Sequence, residues 1–102
     1  NLSDANLIAA DLRKASLVGA NLMRADLRTA DAEEADLRGV NLADAVVSGA
    51  NFRNVSFLGA CVDGVDLNDA DLDGTNLSRN QTNQAMLLKS GTPHRWVSWG
   101  SH

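Results

Sequence analysis

The 102-residue chain has no tyrosine, one proline, one cysteine, two phenylalanines and two tryptophans. A single cysteine, Cys61, excludes an intrachain disulfide. No apolar run approaches the ~18 residues that a membrane-spanning helix needs, and no secretory leader pattern is present. Basic residues are not in excess. Nine Lys and Arg stand against 13 Asp and Glu, for a net charge of −4, which argues against a nucleic-acid binder. What is present is narrow in type: 15 Ala, 14 Leu, 11 Asp and 10 Asn make up 50 of the 102 residues. Apolar residues reach 44% while aromatics reach 4%. An ordinary core mixes large and small side chains to fill space, so this bias points to a repeat.

The repeat has a period of five. Leu2, Leu7, Leu12, Leu17, Leu22 and Leu27 open a series that runs through Ala32, Phe52 and Phe57 to Leu77. All 16 of these central positions are apolar and 11 are Leu. Two residues before each centre lies a second apolar series, Ala5 to Thr75, with 11 Ala and three Val in 15 places. The site between the two series is Asn six times and Asp six times, with Ser16, Ser56, Val46 and Cys61 as departures. Neither the helical period of 3.6 nor the strand period of 2 fits. Each pentapeptide therefore makes one short side of a coil, with Ala where backbones crowd and Leu on the axis.

The pattern, as in Ala5-Asn6-Leu7 and Ala70-Asp71-Leu72, resembles the pentapeptide-repeat family over residues 1–79. The resemblance implies an all-β solenoid, a right-handed quadrilateral β-helix of about four coils with four pentapeptides per coil. Charge supports that register independently. Residues 20 apart would stack at the ~4.8 Å spacing of paired strands. The column Arg13, Glu33, Arg53, Asp73 then alternates in sign, as does Asp4, Arg24, Asp44. The same stacking sets Phe52 above Ala32, a large centre beside the one small one, and their contact is expected as volume compensation.

Three segments follow: the β-helix over 1–80, a capping helix over 81–91 and a tail over 92–102. Thr82 is the expected N-cap and Ser90-Gly91 the stop. Met86, Leu87, Leu88, Trp96 and Trp99 are expected to cover the last coil or to meet a partner, because an open solenoid end is an unpaired edge. The repeat is already in register at Asn1. That leaves two expectations for this end: upstream coils, or end-to-end pairing of two copies as a homodimer.

Candidate chemistry is sparse. Asp69-Ala-Asp71-Leu-Asp73-Gly74 copies the opening of a calcium loop, but its twelfth position is Asn80 rather than Glu. Asn54, Asn76 and Asn80 are formal glycosylation acceptors at offsets the repeat generates anyway. Cys61, His94 and His102 make no spaced ligand set. No catalytic constellation, phosphate-cradling loop or paired-carboxylate site is present, so no enzyme, metal or cofactor is expected.

By side, outward charge over residues 1–79 is −2, −2, −3 and +1, the last on the side of Leu17, Leu37, Phe57 and Leu77. That side carries Val18, Gly19, Arg38, Gly39, Leu58 and Gly59 and is the candidate interaction face. Two explanations of its glycines stand here, turn geometry and partner contact. The expected function is a rigid scaffold for protein–protein interaction, with no nucleic-acid or membrane partner. The alternative, implied by the gyrase-binding branch of the family, is a DNA-mimic inhibitor. Arg24, Arg28, Arg38 and Arg53 interrupt the continuous acidic track that mimicry wants. Cytoplasm is the default compartment, and the resemblance implies bacteria or plastids.

Overall fold

The computed structural model of the chain describes residues 1–85. The chain winds in coils of 20 residues, with a tight turn at each of four corners. Coil 1 spans residues 1–20, coil 2 spans 21–40, coil 3 spans 41–60 and coil 4 spans 61–80. Every isolated bridge is parallel and joins residues 20 apart, among them Asn6 to Asp26, Asp31 to Asn51 and Asn41 to Cys61. Four pentapeptides per coil is thereby the observed register. The expected all-β character takes a reduced form, because no side is a continuous strand. A side has five residues and a turn consumes most of them, so one residue per side directs both its N–H and its C=O at the neighbouring coil.

The pentapeptide follows from where its five N–H groups go. The central residue donates up to the next coil, as Leu22 N–H does to Asn41 O at 2.7 Å. The residue two further on also donates up, as Arg24 N–H does to Ala43 O at 2.9 Å. The third residue after the centre closes the turn, as Ala25 N–H does onto Leu22 O at 3.0 Å. The Asx residue donates down, as Asp26 N–H does to Ala5 O at 2.9 Å. One donor remains, on the residue after the centre, and the Asx side chain takes it. Asn21 Oδ1 accepts from Met23 N–H at 3.0 Å and Asn41 Oδ1 from Ala43 N–H at 3.0 Å. Eleven such bonds of 3.0–3.2 Å recur along the chain. Asn and Asp recur because their carbonyl-type oxygen sits at the right reach for an Asx turn.

The third residue of the turns lies in the left-handed region, as a type II turn requires, with Asp69 the exception among the turns of coils 1–4 up to Gly74. Gly19 has φ +71° and Gly39 φ +69°, yet Asp4, Ala9, Lys14, Arg24, Thr29, Glu34, Asp44 and Asn54 adopt φ of +58° to +62° in the same role. Thr29, β-branched, bears the conformation least well. Thr29→Gly is therefore expected to raise stability by roughly 0.5–1 kcal/mol, the left-handed cost of ~1–2 kcal/mol less the entropy of glycine. A higher urea midpoint at unchanged slope is the check. Gly49 stands directly above, where an added Cβ would lie 3.2 Å from Thr29 Cγ2, so the corner has no use for two side chains.

The core is the axis. Leu22, Leu27, Leu37, Leu42, Leu67, Leu72 and Leu77 are buried with Phe52 and Phe57, and the inner Ala and Val series closes around them. Ala32 and Phe52 are both buried in one column. Phe52 and Phe57 meet edge to face, with centroids 5.5 Å apart at 76°.

The coil ends in helix α1, Arg79–Gln84, with Ser78 as N-cap. Thr82, the expected N-cap, lies inside the helix instead. Ser78 and Gln81 form a reciprocal capping box: Gln81 N–H donates to Ser78 Oγ at 3.1 Å, and Ser78 N–H donates to Gln81 Oε1 at 2.8 Å. Ala85 is the C-cap, and residues 86–91 of the expected cap lie outside the described residues. Met86, Leu87, Leu88, His94, Trp96, Trp99 and His102 lie outside the described residues.

Candidate interaction surface

Turn residues and the residues just after each centre face outward, so the surface is a set of vertical columns. The side over Leu17, Leu37 and Phe57 carries Val18, Arg38 and Leu58 in one column, with Val18 53% and Leu58 66% exposed. Gly19, Gly39 and Gly59 form the adjacent corner. Their stacking is direct: Gly19 N–H donates to Arg38 O and Gly39 N–H to Leu58 O, both at 2.9 Å. The six predicted face residues are thus brought together as a strip.

The glycines of this corner are not forced by crowding. A Cβ on Gly19 would meet nothing within 4 Å, and one on Gly39 would sit 3.8 Å from Gly19 N, ordinary contact distance. Positive φ does not force them either, since eight other corners adopt it with side chains. Positive φ still favours glycine at all three levels of this corner.

Three arginines, Arg38 of this strip among them, are turned against carboxylates two residues earlier. Arg13 pairs with Asp11 at 2.8 Å, Arg28 with Asp26 at 2.7 Å and Arg38 with Asp36 at 2.6 Å. In each pair the Asx turn already aims the carboxylate at the next residue but one. The expected vertical column holds in part. Arg24 grips Asp4 of the coil below at 2.8 and 3.1 Å, and Arg53 lies 3.5 Å from Asp73. Arg13 instead chooses Asp11, two residues away, over Glu33.

These bonds set the acidities. Arg13 holds the Asp11 carboxyl down at about 2, first through its side chain and then through its main-chain N–H. Asp4, Asp26 and Asp36 are lowered in the same way, first by Arg24, Arg28 and Arg38. A depressed carboxyl favours the ionised fold. The contribution is therefore full above the ordinary carboxylate range and is lost as pH falls towards 2. In a carbon-13 carboxyl titration Asp11 is expected to have its midpoint near 2. In Arg13→Ala that midpoint should rise, yet stay below the ordinary range because the main-chain N–H remains.

Other candidates resolve plainly. Cys61 is half-buried and sits in the Asx column above Asn41. Among the described residues no cluster of His, Cys, Asp or Glu is placed to hold a metal ion. Asp71 Oδ1 caps the Asp73 N–H at 3.1 Å, an Asx turn like the others. Asn76 Oδ1 accepts from Phe57 N–H at 2.7 Å, so this formal glycosylation site is engaged in the ladder. No helix of the described residues is long and apolar enough to cross a membrane.

Two features had not been expected. Gln81 is nine-tenths buried, and its amide Nε2 donates to Phe57 O at 2.8 Å and Ala60 O at 2.9 Å. A depression of about 300 Å³ opens between residues 44–48 and 64–69. The first had a sequence signal, Ser78-x-x-Gln81. The second had none, because Leu67 and Ala70 keep the repeat in phase.

Residues 1–39 and 33–69 match the family model for pentapeptide repeats, in eight copies. No curated protein matches the chain. Among solved structures, the pentapeptide repeat protein alr5209 from Nostoc Pcc 7120 is 30% identical with a TM-score of 0.75, covering 85% of this chain and 74% of its own. A pentapeptide repeat protein from the cyanobacterium Cyanothece 51142 is 29% identical with a TM-score of 0.69. It covers 94% of this chain, which spans only 54% of that relative's length. QnrB1, a plasmid-mediated fluoroquinolone resistance protein, matches at 20% identity and a TM-score of 0.39, covering 96% of this chain and 62% of that one. A likeness at that score carries no argument about function.

Proposed function

From the premise that this chain belongs to the pentapeptide-repeat family, we propose that it is a non-enzymatic, right-handed β-helical scaffold that holds a protein partner on the Val18–Leu58 strip. One observation carries the reading: two aliphatic side chains more than half exposed beside a glycine corner that adds no side chain between them and a partner. The strip lies on the side with the least acidic charge, and Arg38 there is already neutralised by Asp36. A flat, weakly charged, partly apolar strip suits a partner surface.

Leu58→Asp changes this strip without touching the core. In crosslinked capture, Leu58→Asp bait is expected to lose the species that wild-type bait retains. Lys14→Glu, on another side, is expected to keep them. The same captured set on wild type and Leu58→Asp overturns the assignment.

A second reading, a DNA-mimic inhibitor, draws on one observation: Asp63, Asp66, Asp69, Asp71 and Asp73 crowd into coil 4. Four arginines paired with carboxylates in coils 1 and 2 weigh against it. Undiminished gyrase supercoiling at high protein excess removes this reading.

A further inference from the structure

We propose that coil 4 and helix α1, residues 61–85, open as one unit from a rigid body made by coils 1–3. The main chain shows the seam. Among the described residues, twelve main-chain hydrogen bonds join coil 1 to coil 2 and its junction with coil 3, eleven join coil 2 to coil 3 and its junction with coil 4, and six join coil 3 to coil 4. Among the described residues, three parallel bridges join coil 1 to coil 2, four join coil 2 to coil 3, and two join coil 3 to coil 4, Asn41 to Cys61 and Asn51 to Asp71.

Two sides account for the loss. On the side of Val47 and Leu67 a single ladder bond remains, Gly49 N–H to Asp69 O at 3.0 Å, displaced by one residue from the register used elsewhere. The depression beside Val46 opens there. Val46 also replaces an Asx residue, so it offers no oxygen to the Ser48 N–H. On the side of Phe57 and Leu77, Phe57 N–H is taken by the Asn76 side chain instead of a carbonyl.

Charge loosens the same unit. Coil 4 holds five Asp against Arg79, a net −4, while coils 1 and 3 are neutral. From coil 3, Arg53 reaches Asp73 at 3.5 Å and Asp71 at 3.8 Å, and all three are about half exposed, a weak hold.

Gln81 adds a side-chain latch to this unit. Gly64 N–H donates to Gln84 O at 3.0 Å, which fastens α1 to coil 4. Gln81 Nε2 reaches past coil 4 to Phe57 O and Ala60 O of coil 3. The helix and the coil therefore move together, and one amide latches both. Opening uncovers the Phe52–Phe57 pair and a row of coil 3 N–H groups able to pair with an incoming strand.

Amide hydrogen exchange on the whole chain tests this. Leu42, Asp44, Phe52 and Asn54 donate to coil 4, while Leu22, Leu27, Ala32 and Leu37 donate to coil 3. The first set is expected to be about tenfold or more less protected than the second, as a sub-global opening requires. Its protection should rise between about 0.01 and 0.5 M salt as the carboxylates of coil 4 are screened. Gln81→Leu should lower the first set further and leave the second unchanged. Equal protection of both sets, moving in parallel with salt and with Gln81→Leu, overturns the proposal. Should Gln81→Leu fail to fold, the salt series on the wild-type chain decides in the same way.

Discussion

Phe52→Ala is expected to cost about 3–5 kcal/mol in urea unfolding, the range for emptying a well-packed aromatic site. Two features put it at the upper end. The site cannot collapse, because the coil is pinned above and below: Phe52 N–H donates to Asp71 O, and Ala32 N–H beneath donates to Asn51 O. The small neighbour offers nothing to fill the gap, since Ala32 is the one alanine in the central series. The loss also takes away the edge-to-face partner of Phe57. Ala32→Val alone overfills the axis and Phe52→Leu alone underfills it, each costing roughly 1 kcal/mol. If the two levels share one volume, the double variant costs less than the sum. Additive costs would mean that they do not.

Gln81→Leu is expected to cost about 2–3 kcal/mol, because it leaves Ala60 O and Ser78 N–H without partners, while Phe57 O keeps the Ala60 N–H at 2.9 Å. Ser78 N–H loses its acceptor, and Phe57 O and Ala60 O lose a donor. Gln81→Glu separates these parts. It keeps the acceptor for Ser78 but turns a carboxylate oxygen towards two carbonyl oxygens. Burial and those carbonyls push the new carboxyl upward in the fold. A raised carboxyl favours the protonated state, whose O–H can donate to a carbonyl. This variant should therefore gain stability relative to wild type as pH falls, and lose it again as pH rises through the raised value. Paired urea titrations at pH 4 and 7 measure the difference.

Much of this molecule was written in plain view. The Leu and Ala series give the axis, and their spacing, with Asp4, Arg24 and Asp44, gives four repeats per coil. The reason for Asn and Asp was less visible. It appears only when every N–H is traced, and the last one ends on Asn21, Asn41 and their equivalents. The sequence could place Arg13 over Glu33 by register but could not rank Glu33 against Asp11, because that choice depends on the reach of a turn. Helix α1 began earlier than expected for a similar reason. Following the repeat through Arg79 hid the Ser78–Gln81 capping box, which satisfies local donors before periodicity runs out. The slipped bond at Asp69 left no mark, since the residues around it obey the repeat while the backbone does not.

The five-donor scheme makes the four sides interchangeable. Removing residues 26–30, one whole pentapeptide of coil 2, leaves the main-chain scheme in phase, every later centre on the axis and Phe52 still over Ala32. What changes is the heading: all downstream columns rotate a quarter turn against those upstream. Leu58 would then no longer stand over Val18 but one side away, on an intact core. Surface pattern and fold are thus set by different arithmetic, one counting residues in fives and the other in twenties. A lineage could redraw its outer face by gaining or losing single repeats without having to invent a new interior.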